Sequence, residues 1–429
     1  METESLSSHQ PTFGIKLVFI LFGIASLLGC NALLTELSFF DHFLHSMNPF
    51  VSFPFLNYFL NVAFQIIIFA KKDLFPLKFQ LIGGLVGSIF FLVVIPLFTI
   101  ILEKDSSINK IVTGAFIVLM GFINALCNAG FYGLVSFFPM ELIVSLSTGQ
   151  GLSGISMALI QYIVLLTIES DGKDDKPIII QGLVFFISSI VILLISLVIL
   201  LISYNKEFFQ YYLNKKDDKP GASSEIEMNE SLGSINERVN SSDKIQTKGE
   251  LTFGQIFRKI WSFDLLVFLN YIVTFAVYPG ASINQKLFSL TGAFNSNTVI
   301  MIYNVFDTLG RMLVSKMKPT KQLNMIIILA RTVLLFTIVF NYYCQDKLEW
   351  NIVTTSILLI INVSILAATN GIATTLCFGL APNEVENEYK GQAGSSVSLF
   401  LIVGIVGGSS LAFLVDLIIG KFKKQPVTE

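Results

Sequence analysis

Charge is what this sequence has least of. Only 14% of its 429 residues are Asp, Glu, Lys or Arg, against roughly a quarter in an ordinary water-soluble protein. A shortfall of that size over this length excludes a surface that meets water on all sides. Tryptophan is scarce as well, two residues beside 40 Phe, so apolar bulk is placed where no polar handle is wanted. The three histidines, His9, His42 and His45, fall early and outside the apolar runs, which excludes a histidine triad or a histidine metal site within a membrane. Four cysteines are too few and too scattered for a disulfide framework or a zinc cluster. Cys30, Cys127 and Cys377 lie inside apolar runs and Cys344 near the end of one, the usual setting of buried free thiols. A net charge of -2 gives no reason to expect a nucleic-acid partner.

What is present is apolar length. Hydrophobic residues make up 53% of the chain and its mean hydropathy is +0.71. A membrane-spanning helix needs about 20 mostly apolar residues. By that measure the expected spans are Phe13 to Glu36, Phe53 to Ala70, Leu77 to Leu102, Ile108 to Phe138, Met140 to Ile168 and Ile178 to Tyr204. After a polar interval come Ile260 to Ile283, Asn297 to Val314, Leu323 to Tyr343, Asn351 to Leu376 and Gln392 to Ile419. The expectation is an all-α polytopic membrane protein of about eleven helices, six plus five, the layout of a two-bundle transporter. Its parts would be a tail over 1–12, a six-helix bundle over 13–204, a loop over 205–259, a five-helix bundle over 260–419 and a tail over 420–429.

The polar interval is rich in Lys, Asp, Glu, Ser and Asn and nearly free of apolar runs. Such a segment cannot bury enough surface to offset its ordering entropy and is expected to be disordered. An excess of Lys and Arg on the N-terminal side, resting mainly on this loop, places it and the N-terminus in the cytoplasm. The sequons at Asn229 and Asn240 would then stay unmodified. Without an organelle signal, the plasma membrane is the expected location.

Polar groups inside the spans carry the functional signal, because an ionisable side chain in a bilayer is costly. In the eighth span Asp307 and Arg311 stand four apart, one helical turn, with Asn304 on the same face. A carboxylate accepts from hydroxyls, a guanidinium donates in a fixed fork, and each neutralises the other in the absence of cargo. A vicinal diol suits such a pair. The competing reading is an ion pair that only locks helices together. Asn124 and Asn128, four apart in the fourth span, can donate to and accept from a heterocycle edge, or serve as interhelical glue. The glycine runs at Gly149 to Gly154 and Gly404 to Gly408 lie in apolar spans and point to close helix packing rather than a phosphate cradle. Pro139 and Pro279 should break or kink their helices. Arg331 is expected to reach headgroups or to pair with an acid such as Asp264 or Glu141.

Several stretches together resemble the equilibrative nucleoside transporter family. They are Gly130-Phe131-Tyr132-Gly133-Leu134, Phe138-Pro139, Ser147 to Gly154, Val273 to Pro279, the Asn304, Phe306, Asp307, Gly310, Arg311 pattern, Ala330-Arg331, Thr369-Asn370-Gly371 and Gly391 to Gly394. Order and spacing hold over nearly the whole chain. The resemblance implies a major-facilitator-like fold working by alternating access, with no cofactor. It implies that Asp307 and Arg311 hold the ribose with Asn304 in support, and that Asn128 takes the place of a Gln that contacts the base. Leu27 and Asn31 of the first span and Ile405 of the last would line the pathway. The chain departs from many relatives in having Gly29-Cys30-Asn31 where they have Pro-Trp-Asn, and in an Asn128 one methylene shorter than their Gln.

The leading expectation is therefore facilitated diffusion of nucleosides, and of nucleobases with them. A proton-coupled carrier using Asp307 or another intramembrane acid is the second reading, opposed by the adjacent Arg311, which should keep Asp307 ionised. A non-transporting receptor or scaffold, acting through the long loop, is the third. An enzyme is not expected, since no in-membrane nucleophile–base pair is visible.

Overall fold

The computed structural model describes residues 11–47, 49–70, 74–168, 175–214, 253–283, 285–290, 292–348 and 350–420. Most of the expected loop, with Asn229 and Asn240, and most of both tails lie outside the described residues.

Among the described residues there is helix and no strand, as a bilayer requires of a chain that must satisfy its own backbone groups. The first half holds α1 (Phe13–Thr35), the short α2 (Leu37–Phe43), α3 (Pro49–Ala70), α4 (Leu77–Ile101), α5 (Ser107–Val135), α6 (Met140–Thr167), α7 (Asp175–Tyr204) and α8 (Glu207–Asn214). The second holds α9 (Phe253–Val277), α10 (Gly280–Ile283), α11 (Gly292–Leu313), α12 (Lys321–Ala330), α13 (Val333–Lys347), α14 (Ile352–Leu380) and α15 (Lys390–Gly420). Helix starts follow local chemistry. Thr12, Ser106, Thr320 and Asn351 each accept from a first-turn amide, at 3.4, 3.2, 3.2 and 2.8 Å.

Nine helices among the described residues are long and apolar enough to cross a membrane. The second and eighth expected spans are not in that set. In α3 the apolar part is the shorter Ser52–Ile68, and α11 carries Asp307, Arg311 and, near its start, Asn295, Ser296, Asn297 and Thr298.

Two breaks have plain causes. Pro279 cannot donate a backbone hydrogen bond, and the seventh span divides there into α9 and α10. The ninth span divides at Arg331–Thr332 into α12 and α13. The interval expected to be a loop also contains helix: α8, and the start of α9. The aromatic content of α8 accounts for it. Phe209 is buried, stacked on Phe19 at 5.5 Å between centroids and edge-on to Phe138 at 5.4 Å.

Packing repeats between the halves. In the first, α1 lies along α6; in the second, α9 lies along α15. Both are thus contacts of a first span with a fifth. Across the halves α6 meets α11 and α3 meets α15, so the fifth span of each half packs on the second of the other. Glycine permits the close approach between the halves. A Cβ on Gly151 would strike Thr308 and one on Gly154 would strike Asn304, so α6 and α11 touch almost backbone to backbone.

Candidate functional site

The Asp307–Arg311 pair lies on α11 where the two halves meet. Both residues are 4% exposed, and Arg311 Nε donates to Asp307 Oδ2 at 2.7 Å. The remaining contacts run in opposite directions. Arg311 Nη1 crosses to α6, reaching Ser147 O at 3.2 Å, Ser147 Oγ at 2.9 Å and Gln150 Oε1 at 3.2 Å. Asp307 Oδ1 instead turns into its own half and accepts from Asn370 Nδ2 of α14 at 2.8 Å. The ion pair is a hinge pin: its acid is held by the second half, and its base reaches into the first.

Behind Asp307 the network continues. Asn370 Oδ1 accepts from Asn270 Nδ2 at 3.0 Å and Thr274 Oγ1 at 3.0 Å, both on α9. Arg331 supplies the next contacts and is only 2% exposed. Its Nη2 donates to Thr274 Oγ1 at 2.8 Å and Leu366 O at 2.9 Å, and its Nη1 to Asn270 O at 3.3 Å. This corrects the expectation of a snorkelling or acid-paired Arg331. The break between α12 and α13 turns the guanidinium into the bundle, and neutral oxygens receive it. The two acids considered as its partners are engaged elsewhere. Asp264 accepts from Ser396 Oγ at 3.0 Å, and Glu141 pairs with Lys16 at 2.5 Å.

The first half contributes neutral groups. Gln150 Oε1 also accepts from Tyr132 Oη at 2.8 Å, and Tyr132 lies one turn from Asn128 on α5. Asn128 is buried at 5% exposure and its Oδ1 has no partner. Asn31 Nδ2 donates to Ser153 Oγ at 3.1 Å on the α6 strip that carries Gln150 and Gly154. Asn304 is half-buried with its carboxamide against Gly154, and it is not bonded to Asp307. Leu27 is half-buried on α1, and Ile405 is buried in the core on α15.

Asn124 stands apart. Its Nδ2 donates to Asn57 Oδ1 at 3.1 Å, a contact between α5 and α3 within the first half. The two carboxamides expected to act together are therefore divided, one committed to a neighbour and the other with an acceptor open. Sequence reasoning met Ser147, Gln150, Thr274 and Asn370 only as parts of family-like stretches and gave them no role, and it passed over Asn270. The signal that could have found them is the one that singled out Asp307: polar side chains inside apolar spans.

At the end of the molecule that holds the starts of α1 and α6, the halves are fastened by rings. Tyr132 of α5 and Phe378 of α14 stack at 3.6 Å between centroids with planes 5° apart. Beyond them lies a cavity of 310 Å³ lined by Phe137, Met140, Ile143, Tyr212, Gly379 and Asn383 among others. No cluster of His, Cys, Asp or Glu suited to a metal ion occurs among the described residues.

Two helical halves of matched packing, meeting at a buried ion pair lined with amides, give this polytopic membrane protein a major-facilitator-like fold. Solved structures bear the fold out. The proton:xylose symporter XylE superposes with a TM-score of 0.62 at 12% identity, covering 96% of this chain and 95% of the other. The fucose:proton symporter FucP gives 0.57 at 14%, covering 96% and 99%. The sequence pattern described as "Nucleoside transporter" matches residues 114–417, and the chain belongs to that family. Among characterised relatives, equilibrative nucleoside transporter 2 of Rattus norvegicus is 24% identical, covering 93% of this chain and 96% of its own length. Equilibrative nucleotide transporter 5 of Arabidopsis thaliana is 25% identical, covering 96% and 97%.

Proposed function

We propose that this protein is a facilitative carrier that moves nucleosides, and nucleobases with them, down their gradients by alternating access. The observation that carries the reading is the division of the Asp307–Arg311 pair between the halves. All three acceptors of Arg311 Nη1 belong to α6. When the halves rock apart, those acceptors leave, and a guanidinium edge and a carboxylate face open toward the gap. A ribose diol offers two hydroxyl oxygens to the guanidinium and two hydroxyl hydrogens to the carboxylate. Asn370 fixes the carboxylate's orientation so that little ordering remains to be done when cargo arrives.

Asn128, with an open acceptor and an amide donor, reads the edge of the base. Leu27 and Ile405 supply apolar walls, Asn31 positions Ser153 on α6, and Asn304 keeps the α6–α11 contact close. In this reading α3 and α11 also cross the bilayer, giving eleven spans in bundles over 13–204 and 260–419. The N-terminus and the interval 205–259 face the cytoplasm, the plasma membrane is the site of action, and no catalytic step is involved.

The test is saturable uptake of labelled adenosine or uridine by a transport-deficient host expressing the chain. Asp307→Ala and Arg311→Ala should each abolish uptake at normal surface expression. Full activity in both variants would overturn the assignment of the pair.

A further inference from the structure

Where α1 ends, Glu36 leads the chain into α2, and it is 2% exposed. No cation meets it. The Gln161 side chain of α6 stands beside it. Glu36 Oε1 and Gln161 Oε1 are both buried and both without a partner. Charged groups on the surrounding elements pair with one another instead. On α2, His42 pairs with Asp175 of α7 and Asp41 with His45; Lys104 joins Asp175, and Lys110 of α5 pairs with Asp105. Glu103 and Lys176 are exposed. The nearby phenols are also engaged, Tyr162 of α6 with Thr298 and Tyr58 of α3 with Cys30.

An ionised carboxylate here would be an uncompensated buried charge. A neutral carboxylic acid would not, because it donates as well as accepts. One hydrogen on Glu36 serves both lone oxygens, with the amide giving to one carboxyl oxygen and the hydroxyl giving to Gln161 Oε1. We propose that Glu36 is a proton-binding site, and that its proton holds α1 and α6 together at this end of the carrier.

The inference rests on the carrier reading, and it adds a control to it. The same strip of α6 meets α11 across the halves: Tyr162 bonds Thr298, and Asn297 Nδ2 donates to Ala158 O at 3.2 Å. With the proton bound, Gln161 is fixed and the strip is set for that closure. Without it, the anion draws water between α1 and α6, the end stays open, and cycling slows.

The experiment is adenosine uptake against external pH, wild type beside Glu36→Gln. Wild-type uptake should fall several-fold from mildly acid to mildly alkaline medium. Glu36→Gln, a neutral shape-mimic, should stay near the acid wild-type rate throughout. A flat wild-type profile, or an unchanged slope in the variant, overturns the proposal. Thermal unfolding of the purified protein without cargo gives a second readout. The folded form keeps a proton that the unfolded form releases, so the wild-type midpoint should fall as pH rises, and Glu36→Gln should make that slope shallower. A wild-type midpoint without the slope overturns the proposal whatever the variant does. A wild type that takes up no nucleoside at any pH sinks the carrier reading, while the unfolding slope still decides on Glu36.

Discussion

The two faces that meet between α6 and α11 are polar in different ways. On α11 the polarity is ionic, and it is anchored backward through Asn370, Thr274 and Arg331 into the second half. On α6 it is neutral: Ser147, Gln150 and Ser153 among glycines, bonded lightly to α1, α5 and α11. A charged face can be kept in a membrane only if its compensation travels with it. The contrast teaches that the second half holds the ion pair together with its supports, while the first half offers it only neutral acceptors, Ser147 and Gln150, that can be withdrawn without stranding a second charge.

The largest way to break this contrast is to leave one charge alone. Removing one partner of a buried pair costs about 3–5 kcal/mol, so Asp307→Ala should cut uptake beyond detection and lower the thermal midpoint, measured by flux and by unfolding of purified protein. Asn370→Leu tests the anchor. It strips a donor from Asp307 and an acceptor from Asn270 and Thr274, and orphaned buried groups cost about 1–3 kcal/mol each. Uptake should fall between ten- and a hundredfold, by about that energy, with the ion pair still present; wild-type flux would show that the charge needs no support from behind.

Smaller changes sharpen the contrast within the first half. Asn128→Gln should alter the ratio of purine to pyrimidine nucleoside uptake by less than about tenfold, as expected of a single adjusted polar contact. Asn124→Ala should leave that ratio unchanged and lower stability by roughly 1–3 kcal/mol, because Asn57 loses its donor. Equal selectivity changes in both would show that the two carboxamides act as one site. The smallest effect belongs to an exposed charge outside the interface. Ser46 donates to Asp105 through Oγ at 2.6 Å and its backbone amide at 3.2 Å, which holds that carboxyl below its ordinary value of 3.8. The folded form therefore binds this proton less tightly than the unfolded one, and the stabilisation is present at neutral pH and lost as acid titrates the folded group. Asp105→Asn should lower the neutral midpoint slightly, converge with wild type in acid and leave uptake alone.

Much of this organisation is legible in the residues. Apolar length marks the helices because the bilayer demands it, and the ion pair shows itself because charge in lipid requires a reason. The sequence is less explicit where an element depends on its neighbours. Nothing in Arg331 itself says that the helix opens beside it and turns it inward. Asn124 and Asn128 share a spacing, yet Asn57 on another helix claims one and leaves the other. α8 sits in a stretch that reads as polar, and only the ring pocket formed by Phe19 and Phe138 makes it a helix worth ordering. The site residues given no role are uncharged, and a serine or glutamine among glycines looks like packing until its partner is seen.

The stacked rings of Tyr132 and Phe378 have a kinetic consequence. Besides the bond from Tyr132 to Gln150, they join the halves face to face, so in the proposed cycle each passage through that end must first slide or prise two flat faces apart, forfeiting about 0.5–1.5 kcal/mol of ring attraction beyond the area uncovered. That work is done whether or not cargo is aboard. In that proposed cycle it makes the pair a brake on the return of the empty carrier as much as on delivery, and sets a pace for exchange that is independent of how tightly cargo is held.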